Sequence, residues 1–593
     1  LHKSNIFLHL RFFGSLNHPC RPIKNQGNRG ILVRKHLLYP SFKPKIYPMR
    51  KLFTFLFLIL LTGSLFAGGL VTNNNQSAMF TRTQNRNAST GIDAVFFNPA
   101  GLTKLDNGFY FSLNNQTINQ TRTIRSNYMY LSDSPKEYTG TVNAPVYPGV
   151  YAAFKAGKFA VSAGINPIGG GAGAKYEKGL PSFEMSVADL VPLLNSKNIP
   201  TTQYAADIFF EGSSVYFGYQ ANASYEINKM FSVGAGLRLV TAKNTYTGSL
   251  TNISINPNYP AFGAAYNGSM VPATEFFTAG ATTLNTLAAG SALYAAGLTP
   301  IVQAGYGSVL LSDGTTVGLT AQQVGQIQQI LGAAGLTPPQ IAAQTIASSQ
   351  GTLVVAGPQF AANGTAMTGY AAATQDTYVD VEETGRGFTP ILSLNFSPSD
   401  KLNIAVKYEF KTKLELTTKV RDGKGGGVFT DGEKVIADLP AILAVGAQYQ
   451  LFNKLMVAGS FNYYFDQNVD YDGSELVEID MIDKNFMEYG IGAEYAFNEK
   501  LRASAGFSAT LTGVNENYQS DQTYSANTGS FGAGFGYRIS RLIDLNVGGQ
   551  YTTYATASKD FNHMLGTIPI PVTETYDKST WLIGIGLDFY FNK

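Results

Sequence analysis

Residues 225–237 read Tyr225-Glu226-Ile227-Asn228-Lys229-Met230-Phe231-Ser232-Val233-Gly234-Ala235-Gly236-Leu237: alternating residues, a short polar turn, then alternating residues again. Four further stretches share the pattern, turning at Ser397-Pro398-Ser399-Asp400-Lys401, Phe452-Asn453-Lys454, Asn498-Glu499-Lys500 and Ser540-Arg541. A period of two, with one row apolar and the other small or polar, gives each strand a greasy face and a wet face. Strands of about ten residues, joined alternately by tight turns and long loops, are the signature of a transmembrane antiparallel β-barrel. The last strand shows the faces plainly. Trp581, Ile583, Ile585, Leu587, Phe589 and Phe591 form one row and Gly584, Gly586, Asp588 and Tyr590 the other, so the first row is assigned to lipid.

Composition agrees with this all-β reading. Only 14% of residues are charged, there are 62 Gly, and 34 Tyr and 39 Phe stand against a single Trp. The mean hydropathy of -0.03 is too low for a bundle of membrane helices. Strands are expected near 108–120, 146–155, 158–168, 213–227, 230–246, 386–397, 401–419, 434–451, 454–470, 485–497, 500–512, 526–539, 543–558 and 579–591. That is an even set of about fourteen, and closure into a barrel removes the unpaired edges that hydrocarbon forbids.

Residues 1–67 read as a leader. Met49-Arg50-Lys51 precedes the apolar run Leu52 to Leu61, and Thr62-Gly63-Ser64-Leu65-Phe66-Ala67 completes a secretory signal over 49–67 with cleavage after Ala67. Residues 1–48 are expected to be an upstream extension outside the mature protein. Eleven of the 43 basic residues and none of the 40 acidic ones lie in residues 1–67, so cleavage leaves 32 against 40, a net charge of −8. Nucleic-acid binding loses its compositional support. Cys20 leaves with the leader, as do His2, His9, His18 and His36. Without cysteine, and with His563 as the one remaining histidine, thiolate metal sites and disulfides are excluded, no cofactor is expected, and an enzyme is not. His563 itself is expected to be a solvated loop residue.

Two long loops, about 169–212 and 247–385, fall on the rim opposite the tight turns and are expected outside the cell. The second contains Ala295-Ala296-Gly297-Leu298-Thr299-Pro300 and Ala333-Ala334-Gly335-Leu336-Thr337-Pro338, a small internal duplication. Val324, Ile327 and Leu331 fall at helical spacing over Ala321–Leu331, and Ile341 and Ile346 mark a second short helix. These helices either pack on each other and the rim, or form a greasy groove that collects hydrophobic molecules. Residues 68–107 differ from the strands that follow. Their Val95-Phe96-Phe97 predicts a hatch inside the lumen rather than a free tail, since a free tail gains nothing from three large apolar side chains. The barrel itself is assigned to 108–593.

At Asp93 and Asn98-Pro99-Ala100, at Tyr225–Lys229 leading into Ser232-Val233-Gly234-Ala235-Gly236, and at Asp438-Leu439-Pro440, the chain resembles the FadL family of outer-membrane long-chain fatty-acid and hydrocarbon channels. The resemblance covers most of 68–593 apart from an insertion near 251–375. It implies a monomeric fourteen-stranded barrel in the outer membrane of a Gram-negative bacterium, inserted by the barrel-assembly machinery, surrounded by outer-membrane lipids and closed by an N-terminal hatch. It further implies capture of hydrophobic small molecules by a loop groove, a lumen site, hatch rearrangement and lateral release. Asp93, Asn98, Pro99 and Ala100 are the implied hatch positions. Asn166, Pro167, Gly169 and Gly170, with Ile168 between, match the expected lateral opening, or else form an ordinary strand end. The final strand resembles the terminal insertion signal of such barrels, although Asn592-Lys593 follow Phe591.

A fatty-acid head group would want a cation on the wet face. Alternation places Arg238 inward between Gly236 and Val240. It also places Lys407, Lys411 and Lys413 inward, opposite a lipid row of Val406, Tyr408, Phe410 and Leu414; Lys413 best matches the family's lumen lysine. Each of the four is either a carboxylate ligand or a polar lumen residue paired with nearby acids such as Glu409 and Glu415. Two other functions remain open from sequence: a diffusion porin for hydrophilic solutes, and a surface-interaction barrel acting through its long loop.

Overall fold

The computed structural model describes residues 76–170, 173–469 and 481–592. The expected signal segment, residues 1–48 and the start of the hatch at 68–75 lie outside the described residues, as does Gly171.

The strands are β1 (Gly108–Ser126), β2 (Lys136–Ala156), β3 (Phe159–Gly169), β4 (Ala174–Tyr176), β5 (Tyr204–Glu226), β6 (Phe231–Ile255) and β7 (Val271–Pro272). Then come β8 (Thr377–Ser399), β9 (Leu402–Glu409), β10 (Glu415–Gly425), β11 (Lys434–Ile436), β12 (Ile442–Phe452) and β13 (Leu455–Tyr464). The chain closes with β14 (Phe486–Ala496), β15 (Leu501–Leu511), β16 (Thr528–Ser540), β17 (Ile543–Tyr554), β18 (Ala557–Leu565) and β19 (Ile568–Asn592). β4, β10 and β11 prolong β3, β9 and β12 across local breaks, β7 is a two-residue bridge on β6, and β18 folds back on β19. The remaining fourteen form the wall, every pair antiparallel, closed by β1 on β19 from Gly108↔Asn592 to Ser126↔Glu574. The expected all-β barrel of fourteen strands is the observed one.

The face assignment holds along β19. Trp581, Ile583 and Ile585 are exposed on the outside, and Leu582, Gly584, Gly586 and Asp588 are buried within. Beside the tight turns, aromatic residues pair across strands, Phe159 with Tyr225 at 4.8 Å and Phe231 with Phe396 at 4.6 Å between ring centroids. Such pairs form the girdle expected at a membrane interface. Among the described residues no helix is long and apolar enough to cross a membrane.

Six wall strands, β1, β2, β5, β6, β8 and β19, run several residues beyond the expected lengths at the loop end, while β13 and β17 stop short of theirs. β2 begins at Lys136 rather than 146, and β8 at Thr377 rather than 386. Past the bilayer both faces meet water or loops, so the apolar alternation stops while the ladder continues. The loops also correct the sequence reading. The insertion carries two long helices, Ala273–Gln303 and Ile346–Ala373, packed on each other, with Ala321–Ala333 and Pro338–Ala342 between them, where only short helices are expected. Their small residues create close helix contact but little 3.6-residue contrast: Ser291 lies where a Cβ on Gly357 would point, and Asn285 where one on Gly364 would. Leu298, Val324, Ile327, Leu331 and Leu353 share one buried cluster, so these helices cover each other.

Residues 76–107 lie inside the barrel. Val95, Phe96 and Phe97 are buried, Phe80 stacks on Phe97, and Phe96 meets Phe97 edge to face at 5.0 Å. Asp93 holds this segment together by accepting from Arg86 (2.7 and 2.9 Å), Ser89 (2.5 Å) and Ser77 (3.1 Å). The wall admits it through glycine. A Cβ on Gly492 or Gly506 would fall 2.2 or 2.0 Å from the Thr83 carbonyl oxygen, and one on Gly532 would fall 2.2 Å from that of Thr81. The Gly506→Val variant therefore dislodges the N-terminal segment while the wall still closes. Limited proteolysis should cut residues 76–107 faster than in the parent, with the heat-dependent gel shift of a folded barrel unchanged; equal protection would contradict this packing.

Candidate functional site

Three features of the lumen and its mouth bear on function. The first is a charged cluster at mid-barrel. Arg238 on β6 makes a two-pronged contact with Glu409 on β9, at 2.6 and 2.9 Å, and donates to Gln220 at 3.0 and 2.7 Å. Lys407 donates to the same Glu409 (2.7 Å) and to the Phe96 carbonyl (2.9 Å), and both cations lie over the Phe96 ring, at 5.0 and 4.6 Å. A cavity of about 30 Å³ beside them, lined by Ile168, Thr389 and Tyr464 among others, has room for a water but not a chain. In this conformation the cluster is satisfied internally and joins the N-terminal segment to the wall.

Lys411 and Lys413 do not join it. Inward positions on β9 are odd through Glu409, but from Thr412 onward they are even, because the strand breaks between Glu409 and Glu415. A slip of one residue moves every side chain to the opposite face. Lys413 is consequently exposed, and Leu414, expected in the lipid row, is buried in the cluster around Phe96. Lys411 is 37% exposed and binds Asp438 (2.9 Å) and the Asn468 carbonyl (3.2 Å). The other expected residues stand where the fold needs contacts. Asn98 donates to Asn395 (2.7 Å), the Pro99 carbonyl accepts from Ser224 (2.7 Å), and the Ala100 amide donates to Ser393 (3.0 Å), so this motif pins the inner segment to β5 and β8.

The second feature is an interruption of the wall. Ladder pairs between β2 and β3 stop at Val150↔Ile165, and the line resumes only at Val142↔Ala174 on β4. Asn166, Pro167 and Gly169 pair with β5 alone, and Gly170 adopts φ of +78°, where a Cβ would meet the Ser214 carbonyl at 2.2 Å. From within, Gln76 covers the interruption: its side-chain oxygen accepts from Asn166 (3.1 Å) and its carbonyl from Tyr151 (3.0 Å).

The third feature is a cavity of about 380 Å³ above the N-terminal segment. Phe80 floors it, Tyr147, Gly169 and Gly170 bring it to the edge of the wall interruption, and Arg122 and Lys578 project into it. At its mouth a separate apolar groove of about 80 Å³ is bounded by Phe183, Phe209, Leu250, Val379, Val428 and Phe429. Phe210 and Gln522 border both spaces. The groove is built from strand ends and the helix Pro181–Ala188, not from the insertion helices.

His563 also differs from expectation. It lies on β18, buried, with Nε2 2.8 Å from Asp189 and its ring 4.8 Å from Tyr128. The β18–β19 hairpin, unseen in the sequence, folds it against the first loop.

With the geometry in hand, comparison with known proteins is informative. No family model matches the chain. No curated protein matches it either. Among solved structures, a Pseudomonas aeruginosa FadL homologue superposes with a TM-score of 0.50 at 12% identity, covering 88% of this chain and 100% of that one. The fold is the FadL fold. The Ralstonia pickettii toluene transporter TbuX (TM-score 0.44, 15% identity, 88% and 100% coverage) and the P. putida toluene transporter TodX (0.42, 13%, 85% and 95%) are also similar. This chain shares with that fold a closed wall of fourteen antiparallel strands whose apolar row faces outward.

Two predictions follow from these contacts. Removing the acid by Glu409→Ala strands two buried cations, a loss of about 3–5 kcal/mol when one partner of a buried pair is deleted. Thermal unfolding in detergent should show a clearly lower midpoint; an unchanged midpoint would mean that the cluster contributes nothing. Beyond the membrane belt, at the outer end of β19, burial and the nearby Asp521 charge push the Glu574 carboxyl up to about 8 from 4.5, while Tyr576 donates to it at 2.7 Å. Its folded value exceeds the unfolded one, so its contribution is complete below about 4.5 and is lost as pH rises through about 8. Protection factors across 557–576, taken relative to the intrinsic exchange rate at each pH, should fall over that window in the parent, and Glu574→Gln should flatten the response.

Proposed function

We propose that the protein is a passive, non-enzymatic uptake channel for hydrophobic molecules, acting as a monomer in the outer membrane after insertion by the barrel-assembly machinery. The observation that carries this reading is the meeting of the 380 Å³ cavity with the interrupted ladder between β2 and β3. Substrate settles in the apolar groove at the mouth and passes Phe210 and Gln522 into the cavity. Withdrawal of Gln76 from Asn166 and Tyr151 then lets it leave sideways between β2 and β3.

Lateral release has a physical rationale. An alkyl chain set free in the aqueous periplasm loses about 0.8 kcal/mol for each exposed CH₂, whereas release into the bilayer keeps that surface out of water. Long-chain fatty acids suit the combination of an apolar groove and lumen cations. Movement of the inner segment frees Lys407 from the Phe96 carbonyl and uncovers the Arg238–Lys407 pair, and a carboxylate there competes with Glu409 on the wall. A lumen filled by residues 76–107 supports a gated channel over an open porin.

Deleting residues 68–107 should convert the protein into a steadily conducting pore in planar bilayers and alter uptake of labelled fatty acid by cells. Conductance and uptake that both remain at the parental level would overturn the proposal.

A further inference from the structure

Arg122 on β1 and Lys578 on β19 stand directly opposite each other in the register that closes the barrel. Both line the 380 Å³ cavity. Like charges placed opposite each other across two strands destabilise a sheet, and semi-enclosed cations normally acquire an acidic partner. This chain follows that rule elsewhere: Arg82 contacts Glu494, Arg86 contacts Asp93, and Arg238 and Lys407 share Glu409. Among the described residues, neither Arg122 nor Lys578 has a carboxylate within ion-pairing distance.

Their present partners are neutral. The Lys578 ammonium donates to the Tyr524 carbonyl (2.5 Å) and sits 3.9 Å from the centre of the Tyr524 ring, and Arg122 Nε donates to Gln120 (2.7 Å). Neighbouring Asp577 is turned away to Thr556 (2.6 Å), and Glu488, the acid on the cavity wall, accepts from Asn462 (3.0 Å). Beside the two cations the buried Tyr176 hydroxyl makes no hydrogen bond of normal geometry among the described residues. Two cations and the Tyr176 hydroxyl, which neighbours Arg122 and Tyr524, thus border one space, whose walls combine Phe80, Ile118, Phe210 and Leu582 with polar Thr510 and Gln550. A small inorganic anion would satisfy the charges and leave those apolar walls wet.

We infer that Arg122 and Lys578, with Tyr176, form a head-group site for the carboxylate of an amphiphile whose tail lies along the apolar wall of the cavity. This site is distinct from the Arg238–Lys407–Glu409 cluster and is open without any movement of the inner segment. It rests on the uptake reading and narrows the substrate to anionic amphiphiles at the stage before the wall interruption.

The test is scintillation-proximity binding of tritiated oleate and tritiated methyl oleate to the full chain in detergent. Arg122→Gln and Lys578→Gln should each weaken oleate by about tenfold or more, the weight of one charge-assisted hydrogen bond, and leave methyl oleate within about twofold. Lys578→Arg should retain oleate binding, which separates charge from packing, and the heat-dependent gel shift certifies each folded barrel. Equal losses for acid and ester, or none for either, would refute the site. Parent protein that binds ester as tightly as acid would refute it while leaving the uptake channel standing; parent protein that binds neither would remove the uptake reading as well. Acetate competing as effectively as octanoate at fixed ionic strength would reassign the site to small anions and overturn the amphiphile assignment.

Discussion

In hydrocarbon each backbone N–H and C=O must find a partner within the protein, and this requirement organises the molecule. It forces the last strand onto the first along their whole length, from Gly108↔Asn592 to Ser126↔Glu574. It also makes any break in the ladder conspicuous. Among the described residues such breaks occur between β2 and β3 and along the β8–β9–β12 segment near residues 410–414 and 437–441. Both are backed from within: Gln76 serves the first, and Leu414 and Leu439, packed in the cluster around Phe96, line the second. The inner segment therefore supplies bonds and apolar contacts where the wall lacks them.

That arrangement couples the segment's position to the integrity of the wall. Asp93 draws Arg86, Ser89 and Ser77 into one knot, and Asn98, Pro99 and Ala100 tie the knot to β5 and β8. Glycines on the facing strands allow the backbone of Thr81 and Thr83 to approach where no other residue would fit. The high glycine content, read at first only as compatible with a barrel, has here a definite steric task.

The fold was legible because strand alternation repeats many times, so that weak signals add. Gly584 and Gly586 inward and Trp581 outward could be read from a single strand. The inward pointing of Arg238 and Lys407 followed from the same rule, and the rule failed at Lys411 and Lys413 because a local break reverses the phase without any Gly or Pro to mark it. Arg122 and Lys578 escaped notice for a related reason. Each lies just beyond the apolar row that sets the expected strand end, at 120 on one strand and 579 on the other. The long insertion helices were obscured by composition, since Ala, Gly, Ser and Thr occupy both their inner and outer faces. The duplicated hexapeptide makes the limit explicit. Gly297 stays within a helix that runs through Pro300, whereas Gly335 takes φ of +94° and ends one. Identical local preferences meet different packing, and packing decides.

The insertion has a further property. Between Lys243 and Arg386 the chain contains no lysine or arginine, although this stretch carries two helices of 31 and 28 residues at the loop end of the barrel. Trypsin-like enzymes need such a side chain at the bond they cleave. The appendage is thus closed to them by its chemistry, whether folded or unfolded, without any need for shielding.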